Sequence, residues 1–221
     1  MIIWIASYPK SGNTWVRALI AHYFFSKSEK FSFDILKHIP NFNVSDFISK
    51  KTLLKSSEDI IKNWLPSQKF INQKFKRNLL FKTHNACIKI NGNEFTNKEV
   101  SAGCIYVVRD PRNVISSYKN FEKKTYEDIA ENMFDEKGYL LSNKSTFERF
   151  GIKGTEVISS WGKHYNSWVH NNSDIPICLI KYEDLLNDTA KEFIRIFNFL
   201  KKINNEKNIK IDKNRLKNTI K

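Results

Sequence analysis

Residues 2–17 of the chain read Ile-Ile-Trp-Ile-Ala-Ser-Tyr-Pro-Lys-Ser-Gly-Asn-Thr-Trp-Val-Arg. The first part, Ile2 to Ala6, is an apolar run that is typical of a buried strand. Ser7 to Gly12 then supplies a proline, a glycine and two serines, which favour a tight polar turn. From Asn13 onward, apolar residues recur at helical spacing. A strand, a polar loop and a helix in this order predict an anion site, because the free N–H groups of a helix N-terminus point at the preceding loop.

The same loop carries side chains that suit a phosphate ligand. Lys10, Ser11 and Thr14 would add a cation and two more hydrogen-bond donors. The loop differs from the Walker A sequence G-x-x-x-x-G-K-[ST] of ATPases and kinases. When Gly12 is aligned with the last glycine of that sequence, Asn13 stands where the lysine belongs. Because ATP chemistry depends on that lysine and on its metal geometry, the loop indicates a different phosphorylated donor.

A second candidate segment begins with Gly103–Val108, another apolar run that is typical of a buried strand. The Asp-Pro pair that follows suits the N-cap and first position of a helix, so we expect a helix from Pro111 to Phe121. Arg109 then lies at the carboxyl end of the strand, where open α/β sheets bind ligands. An arginine suits a phosphate there, because its guanidinium offers two parallel hydrogen bonds. Ser117 follows in the predicted helix, eight residues after Arg109.

A third segment, Leu79–Phe81, is a short apolar strand that ends in Lys-Thr-His at 82–84. A lone histidine at a strand end is more often a surface or capping residue, but the lysine two positions earlier favours a catalytic setting for His84. Histidine has a pKa near neutrality, so it is suited to accept a proton from a reacting hydroxyl. We interpret the other four histidines of the chain as helix-face or loop residues.

Beyond these segments the pattern is less specific. Residues 175–185 read as a strand followed by a turn. Short helical fragments precede the third segment, and we expect them to be broken by Pro40 and Pro66. A further helix is expected near Tyr126–Phe134, and an amphipathic helix is expected to end the chain.

The motifs in these segments resemble those of PAPS-dependent sulfotransferases of the cytosolic type, PAPS being 3′-phosphoadenosine 5′-phosphosulfate. The matching sequences are Tyr-Pro-Lys-Ser-Gly-Asn-Thr-Trp at 8–15, Lys-Thr-His at 82–84, Val-Val-Arg-Asp-Pro-Arg-Asn-Val-Ile-Ser-Ser-Tyr at 107–118 and Lys-Tyr-Glu-Asp-Leu at 181–185. The resemblance implies a P-loop-like α/β fold with three layers, in which a central parallel β-sheet is flanked by helices. Residues 1–221 would form a single domain.

The resemblance also implies which residues bind the donor. The residues that would hold the 5′-phosphosulfate group are Lys10, Ser11, Gly12, Asn13 and Thr14. Arg109 and Ser117 would contact the 3′-phosphate, and Trp15 and Tyr182 would stack on the adenine base. The family usually has threonine where this chain has Asn13, which is a small polar-for-polar change.

The implied chemistry is direct in-line transfer of a sulfuryl group, with PAPS as co-substrate and no metal. His84 would act as the catalytic base toward a hydroxyl or amine of the acceptor. Lys82 and Lys10 would neutralise the charge on the group in transfer.

The family pattern is incomplete at its C-terminal end. Sulfotransferases of this type usually carry an Arg-Lys-Gly segment that closes over the 3′-phosphate, and nothing after Leu200 matches it. We therefore expect either a truncated chain or a divergent member of the family. The abundance of Lys, Asn, Ile and Phe suggests a bacterial source with an AT-rich genome.

The formal net charge is +14 over 221 residues. PAPS carries on the order of four negative charges, so a positive cleft would steer it inward, and the remaining lysines are expected to form solvated faces. Three scattered cysteines without metal-ligand spacing are typical of reduced thiols. The first strand begins at Ile2, and no apolar run approaches the ~20 residues of a spanning helix. We therefore expect a cytoplasmic protein with a small-molecule or glycan acceptor, no nucleic acid partner and no membrane association.

Two other functions remain open from the sequence alone. A nucleotide or small-molecule kinase on a P-loop fold would need Mg²⁺ and a Walker-type lysine, and the position of Asn13 counts against it. A non-catalytic binding protein that retains only the fold would use its basic charge for nucleic acid or acidic glycans. Its binding would weaken steeply with salt.

Overall fold

A computed structural model of the protein describes residues 1–49, 52, 54–137, 139–140, 155–171 and 174–220. The strands of the described residues are β1 (Ile2–Ser7), β2 (Leu79–Thr83), β3 (Lys89–Ile90), β4 (Asn93–Glu94), β5 (Ser101–Val108), β6 (Tyr139–Leu140), β7 (Glu156–Val157) and β8 (Ile177–Lys181). The α-helices are α1 (Asn13–Phe25), α2 (Ser57–Lys62), α3 (Trp64–Phe75), α4 (Pro111–Glu122), α5 (Tyr126–Phe134), α6 (Trp161–Val169), α7 (Tyr182–Asn187), α8 (Thr189–Ile203) and α9 (Lys213–Ile220). Short 3-10 helices span Phe33–His38 and Val44–Asp46.

The central element is a parallel sheet with the strand order β2-β1-β5-β8. Every residue of β1 is buried. This burial explains the apolar run at the start of the sequence, because a parallel strand covered on both faces shows no polar alternation. Because the strands are parallel, their carboxyl ends meet at one edge of the sheet, and ligands bind at that edge in open α/β folds.

The core is divided between the two faces of the sheet. Ile3 and Ile5 pack with α1, α8 and α9, whereas Trp4 packs on the opposite face with α2, α3 and α6. A smaller cluster joins α4 to α5 and includes Tyr8 of the loop after β1. Helices thus cover both faces of a parallel sheet, which confirms the three-layer α/β fold expected from the sequence.

Local capping chemistry explains several helix boundaries. The Asp110 side chain accepts a hydrogen bond from the N–H of Arg112, and Pro111 occupies the first turn of α4, as the sequence predicts. The helix predicted near Tyr126–Phe134 is α5. The prediction that Pro66 breaks a helix is wrong. Pro66 lies in the first turn of α3, where the missing N–H has no carbonyl partner to lose.

The amphipathic helix expected at the end of the chain is α9. Its Leu216 is buried in the cluster that contains α1, and Oγ1 of Thr219 lies 3.3 Å from Nδ1 of His22. Within the described ranges, no helix has both the length and the apolar character that crossing a membrane requires.

Candidate active site

A cleft of about 760 Å³ opens where the loop after β1, the end of β5 and the start of α7 come together. The candidate residues from the sequence that line it are Lys10, Gly12, Asn13, Thr14, Trp15, His84, Arg109, Ser117 and Tyr182. The structure therefore brings together residues from four separate segments. Ser11 and Lys82 do not line this cleft.

The loop after β1 has the backbone shape of an anion cradle. Lys10 and Gly12 both adopt the left-handed region, with φ of 64° and 101°, and the carbonyl of Gly12 accepts from the N–H of Trp15 and Val16 to start α1. Gly12 is the N-cap, so no side chain caps the first N–H groups of this helix. Uncapped N–H groups at a helix start are suited to bind a phosphate or sulfate.

Two candidate side chains of the loop point away from open solvent. Asn13 donates from Nδ2 to the carbonyl of Ile5 at 3.0 Å and to Oγ of Ser7 at 3.2 Å. Asn13 thus ties the helix start to β1 with its amide. The Ser11 hydroxyl is buried and has no hydrogen-bond partner in the described structure. A buried hydroxyl without a partner inside an anion-binding loop fits a ligand oxygen, because an unmet donor is costly.

Arg109 follows β5 and is fixed from two sides. Its Nη1 donates to the carbonyl of Lys10 at 3.1 Å, and its guanidinium carbon lies 4.2 Å from the ring centroid of Tyr182. Its buried Nε has no partner among the described residues. The guanidinium is therefore oriented in advance and keeps a free donor, and an anion such as phosphate fits that donor. Ser117, on α4, reaches the same cleft.

Tyr182 covers the turn at Gly12. A Cβ on Gly12 would lie 2.6 Å from Cδ2 of Tyr182, closer than side chains approach. The ring of Trp15 meets Tyr182 almost edge-on, with centroids 5.7 Å apart. These two aromatic rings both line the cleft and give it apolar surface that suits a nucleobase.

Lys10 also lines the cleft. Its Nζ lies 4.0 Å from the ring centroid of Phe121, and that ring is 66% exposed. Burial lowers the pKa of Lys10, and the nearby Arg109 guanidinium adds to the effect. A ligand that carried negative charge would relieve the repulsion between these two cations.

His84 is partly buried, and its ring is held in one orientation. Nδ1 lies 2.7 Å from the carbonyl oxygen of Ser7. A carbonyl oxygen only accepts, so Nδ1 carries the proton and donates it, and Nε2 keeps its lone pair. Burial and the Lys82 ammonium lower the pKa of His84 to about 3. The imidazole is therefore neutral at physiological pH, with its lone pair on Nε2.

A second histidine contacts the backbone of His84. His164 is fully buried, and its Nε2 lies 3.1 Å from the carbonyl oxygen of His84, to which it donates. Its Nδ1 accepts from the hydroxyl of Tyr106 at 2.7 Å. Burial lowers the pKa of His164 to about 4, so the ring is neutral as well. Tyr106 and His164 together fix the backbone at His84.

Lys82 forms an ion pair with Glu156. Its Nζ is 3.3 Å from Oε2 of Glu156, and the two side chains are only 10% and 18% exposed. Burial lowers the pKa of Lys82, and Glu156 opposes that shift. For Glu156, burial raises the pKa, but the charge of Lys82 and the hydrogen bonds from Lys82 and from the His84 N–H outweigh it, and the net shift is downward. The contact between them thus favours the charged form of both partners.

Several residues that shape the site were missed from the sequence. Glu156, His164 and Ser7 lie outside the matching motifs. Glu183 lies in one of them without an assigned role, and it accepts from the N–H of Asp110 at 3.0 Å and so joins α7 to the start of α4. Each acts through a contact between segments distant in sequence. Only Glu183 had a local signal, its place in the Lys-Tyr-Glu-Asp-Leu run. Among the described residues, no group of His, Cys, Asp or Glu side chains is arranged to hold a metal ion.

A parallel sheet, a loop that enters a helix through a left-handed glycine, and cations at the strand ends are features of an α/β protein with a P-loop-like anion site. The chain matches the family model described as sulfotransferase domain over residues 2–221. It therefore belongs to the sulfotransferase domain family.

Curated relatives agree with this family. The chain is 24% identical to the rabbit (Oryctolagus cuniculus) amine sulfotransferase over 204 residues, which cover 90% of this chain and 56% of the relative. It is 27% identical to dog (Canis lupus familiaris) sulfotransferase 1B1 over 212 residues, with 90% and 58% covered. The chain thus spans little more than half the length of these relatives.

Solved structures share the fold. Mouse sulfotransferase SULT7A1, complexed with PAP, has a TM-score of 0.58 and 19% identity, and the match covers 99% of this chain and 62% of that chain. A retinol dehydratase in complex with androsterone and the inactive cofactor PAP has a TM-score of 0.55 and 15% identity, with 99% and 63% covered.

Proposed function

We propose that the protein is a PAPS-dependent sulfotransferase, which moves a sulfuryl group from PAPS to a hydroxyl or amine of a small-molecule or glycan acceptor. The observation that carries the proposal is the neutral imidazole of His84, with Nε2 unprotonated, in the same cleft as the loop of Lys10 and Gly12. A base beside an anion cradle is what this transfer requires. Family membership and the PAP complexes of proteins with the same fold support the donor.

The donor would bind along the cleft in one direction. The N–H groups after Gly12, with Lys10, Ser11, Asn13 and Thr14, would hold the 5′ side, because the helix start and Lys10 favour negative charge. Arg109 and Ser117 would hold the 3′-phosphate. Trp15 and Tyr182 would contact the adenine. Among the described residues, neither the buried Ser11 hydroxyl nor the Arg109 Nε has a hydrogen-bond partner, which supports this assignment.

His84 would take the acceptor's proton at Nε2 as the acceptor oxygen or nitrogen attacks sulfur. The Ser7 carbonyl would stabilise the imidazolium that forms, because it accepts from Nδ1–H. The bound donor supplies the activated sulfuryl group, and Lys10 would neutralise the charge that develops as the bond to phosphate breaks. Lys82, the second cation expected from the sequence, is held by Glu156. The names of relatives, including the cytosolic sulfotransferase 1 of Danio rerio, support a small-molecule acceptor and a cytoplasmic location.

Thermal denaturation with adenosine 3′,5′-bisphosphate tests the proposal. A ligand at a hundred times its Kd adds about 2.7 kcal/mol of stability, so we expect a clear rise in Tm that does not depend on Mg²⁺. AMP and ATP, with and without Mg²⁺, serve as comparisons. Stabilisation by Mg-ATP alone would indicate a kinase. Binding to DNA or heparin that weakens steeply with salt, without any response to the bisphosphate, would indicate a basic binding protein.

A further inference from the structure

Glu156 is a carboxylate that is largely shielded from solvent and has no role in the steps proposed above. Its Oε1 accepts from the backbone N–H of His84 at 2.6 Å and lies 3.4 Å from the Thr83 hydroxyl. Its Oε2 lies 3.3 Å from Nζ of Lys82. One side chain therefore contacts every residue of the Lys-Thr-His segment.

The ammonium of Lys82 is directed to this carboxylate. Its side chain is 10% exposed and pairs with Glu156 on β7, whereas Lys10 lines the cleft itself. A cation that stabilises the transferring group must reach that group. Lys10 has access to the cleft that it lines, whereas the Lys82 ammonium is held by Glu156 and does not line the cleft.

The Lys82–Glu156 pair also helps to fix the position of the His84 backbone. His84 is held at three points, by Glu156 on its N–H, by His164 on its carbonyl and by the Ser7 carbonyl on Nδ1. Loss of one partner of a buried ion pair leaves an uncompensated charge, whereas replacement of both partners by neutral groups is often tolerated. Removal of Lys82 or Glu156 alone should therefore disturb the backbone of His84 more than removal of both.

We propose that Glu156 and Lys82 are positioning residues that together hold His84 at the cleft, with its Nδ1 on the Ser7 carbonyl. The proposal rests on the proposed function only in naming His84 as the base. The geometry of the pair and of the His84 ring stands without it.

NMR of the ¹⁵N-labelled histidine rings tests the positioning role without turnover. The variants are Lys82→Met, Glu156→Gln and the double variant, and Gln keeps an oxygen that accepts from the His84 N–H. We expect each single change to weaken the Nδ1–H signal of His84 and to mix its tautomers. The double variant should restore the single tautomer and a higher Tm than either single change. Lys89→Met with Glu94→Gln is the control, because that Lys–Glu pair is exposed, with Nζ and Oε1 3.6 Å apart.

Turnover adds a second readout, with PAPS as donor and 2-naphthol as the probe acceptor. We expect each single change to lower kcat about 10- to 100-fold with little change in the KM for PAPS, and the double variant to recover most of that loss. A double variant as slow as Lys82→Met, beside a near-normal Glu156→Gln, would overturn the proposal, since it would place Lys82 on the transferring group. An unchanged His84 signal in both single variants would overturn it too. If the bisphosphate fails to stabilise the wild type while the double variant restores the His84 signal, the proposed function fails and the positioning role stands.

Discussion

Gly12 and Tyr182 lie against each other at the start of α1, so closely that a Cβ on Gly12 would be 2.6 Å from Cδ2 of Tyr182. The first helix and the segment after β8 thus meet at a position where only hydrogen fits. The same glycine holds a φ of 101°, which a side chain makes unfavourable.

Gly12→Ala is therefore expected to push Tyr182 aside and to strain the loop by about 1–2 kcal/mol. We expect a lower Tm and at least tenfold weaker binding of adenosine 3′,5′-bisphosphate, measured by calorimetry. Gly92→Ala is the matched control, because Gly92 has a φ of +81° but no atom within 4 Å of the added carbon. Equal effects of the two changes on bisphosphate binding would contradict this prediction.

His84→Ala removes the proposed base but leaves the phosphate loop intact. We expect kcat to fall by about 10²–10⁴-fold, while the bisphosphate still raises Tm as in the wild type. The control is His38→Ala, since His38 is exposed and stacks on Phe25 away from the cleft. Near-normal turnover of His84→Ala would assign the proton transfer to another group.

Arg109→Lys keeps the positive charge but removes the guanidinium, which donates to the Lys10 carbonyl and lies over the Tyr182 ring. We expect about 10- to 100-fold weaker binding of the 3′,5′-bisphosphate. Affinity for AMP, which lacks the 3′-phosphate, should change little. Arg112→Lys is the control, because Arg112 is highly exposed and its ion pair among the described residues is with Asp110. An equal loss for both nucleotides would place Arg109 away from the 3′-phosphate.

The free energy of unfolding should decrease as the pH is lowered, because His164 is buried in its neutral form. Its pKa in the folded protein, about 4, is below its ordinary value of 6.5, so the folded state binds the proton less readily. The contribution of this ring to stability is complete above pH 6.5 and is lost as pH falls toward 4, on the order of 3 kcal/mol in total. Urea denaturation at several pH values measures the slope, to which His84 adds with the same sign. His164→Gln should flatten the slope between pH 6.5 and 4, and an unchanged slope would assign the effect elsewhere.

The sequence identified those features that depend on neighbours along the chain. The strand before Lys10, the strand before Arg109 and the cap at Asp110 each follow from a few adjacent residues. Parallel pairing then brings these strand ends to one edge. For this reason most of the cleft and the fold could be predicted.

The remaining features depend on contacts between distant segments. Partners on other elements determine three of these features. Asn13 donates to the carbonyl of Ile5, Lys82 pairs with Glu156, and His164 donates to the carbonyl of His84. Glu156 contacts residues more than seventy positions earlier in the chain. No local pattern marks such a residue, so its place could not be read from the sequence.

The position of β1 inside the sheet also sets an order of folding. Ile2 pairs with Leu79, and Ile3 pairs with Gly103, so β1 is synthesised well before either of the strands that it pairs with. Long-range pairing of this kind makes folding slow. Because the phosphate loop directly follows β1, we expect it to take its native shape only after β1 has paired with β2 and β5. Until then, the apolar β1 segment stays exposed on the nascent chain. We therefore expect the chain to be prone to aggregation during synthesis. The yield of folded protein in a cell should depend on chaperone capacity more than on the stability of the native state.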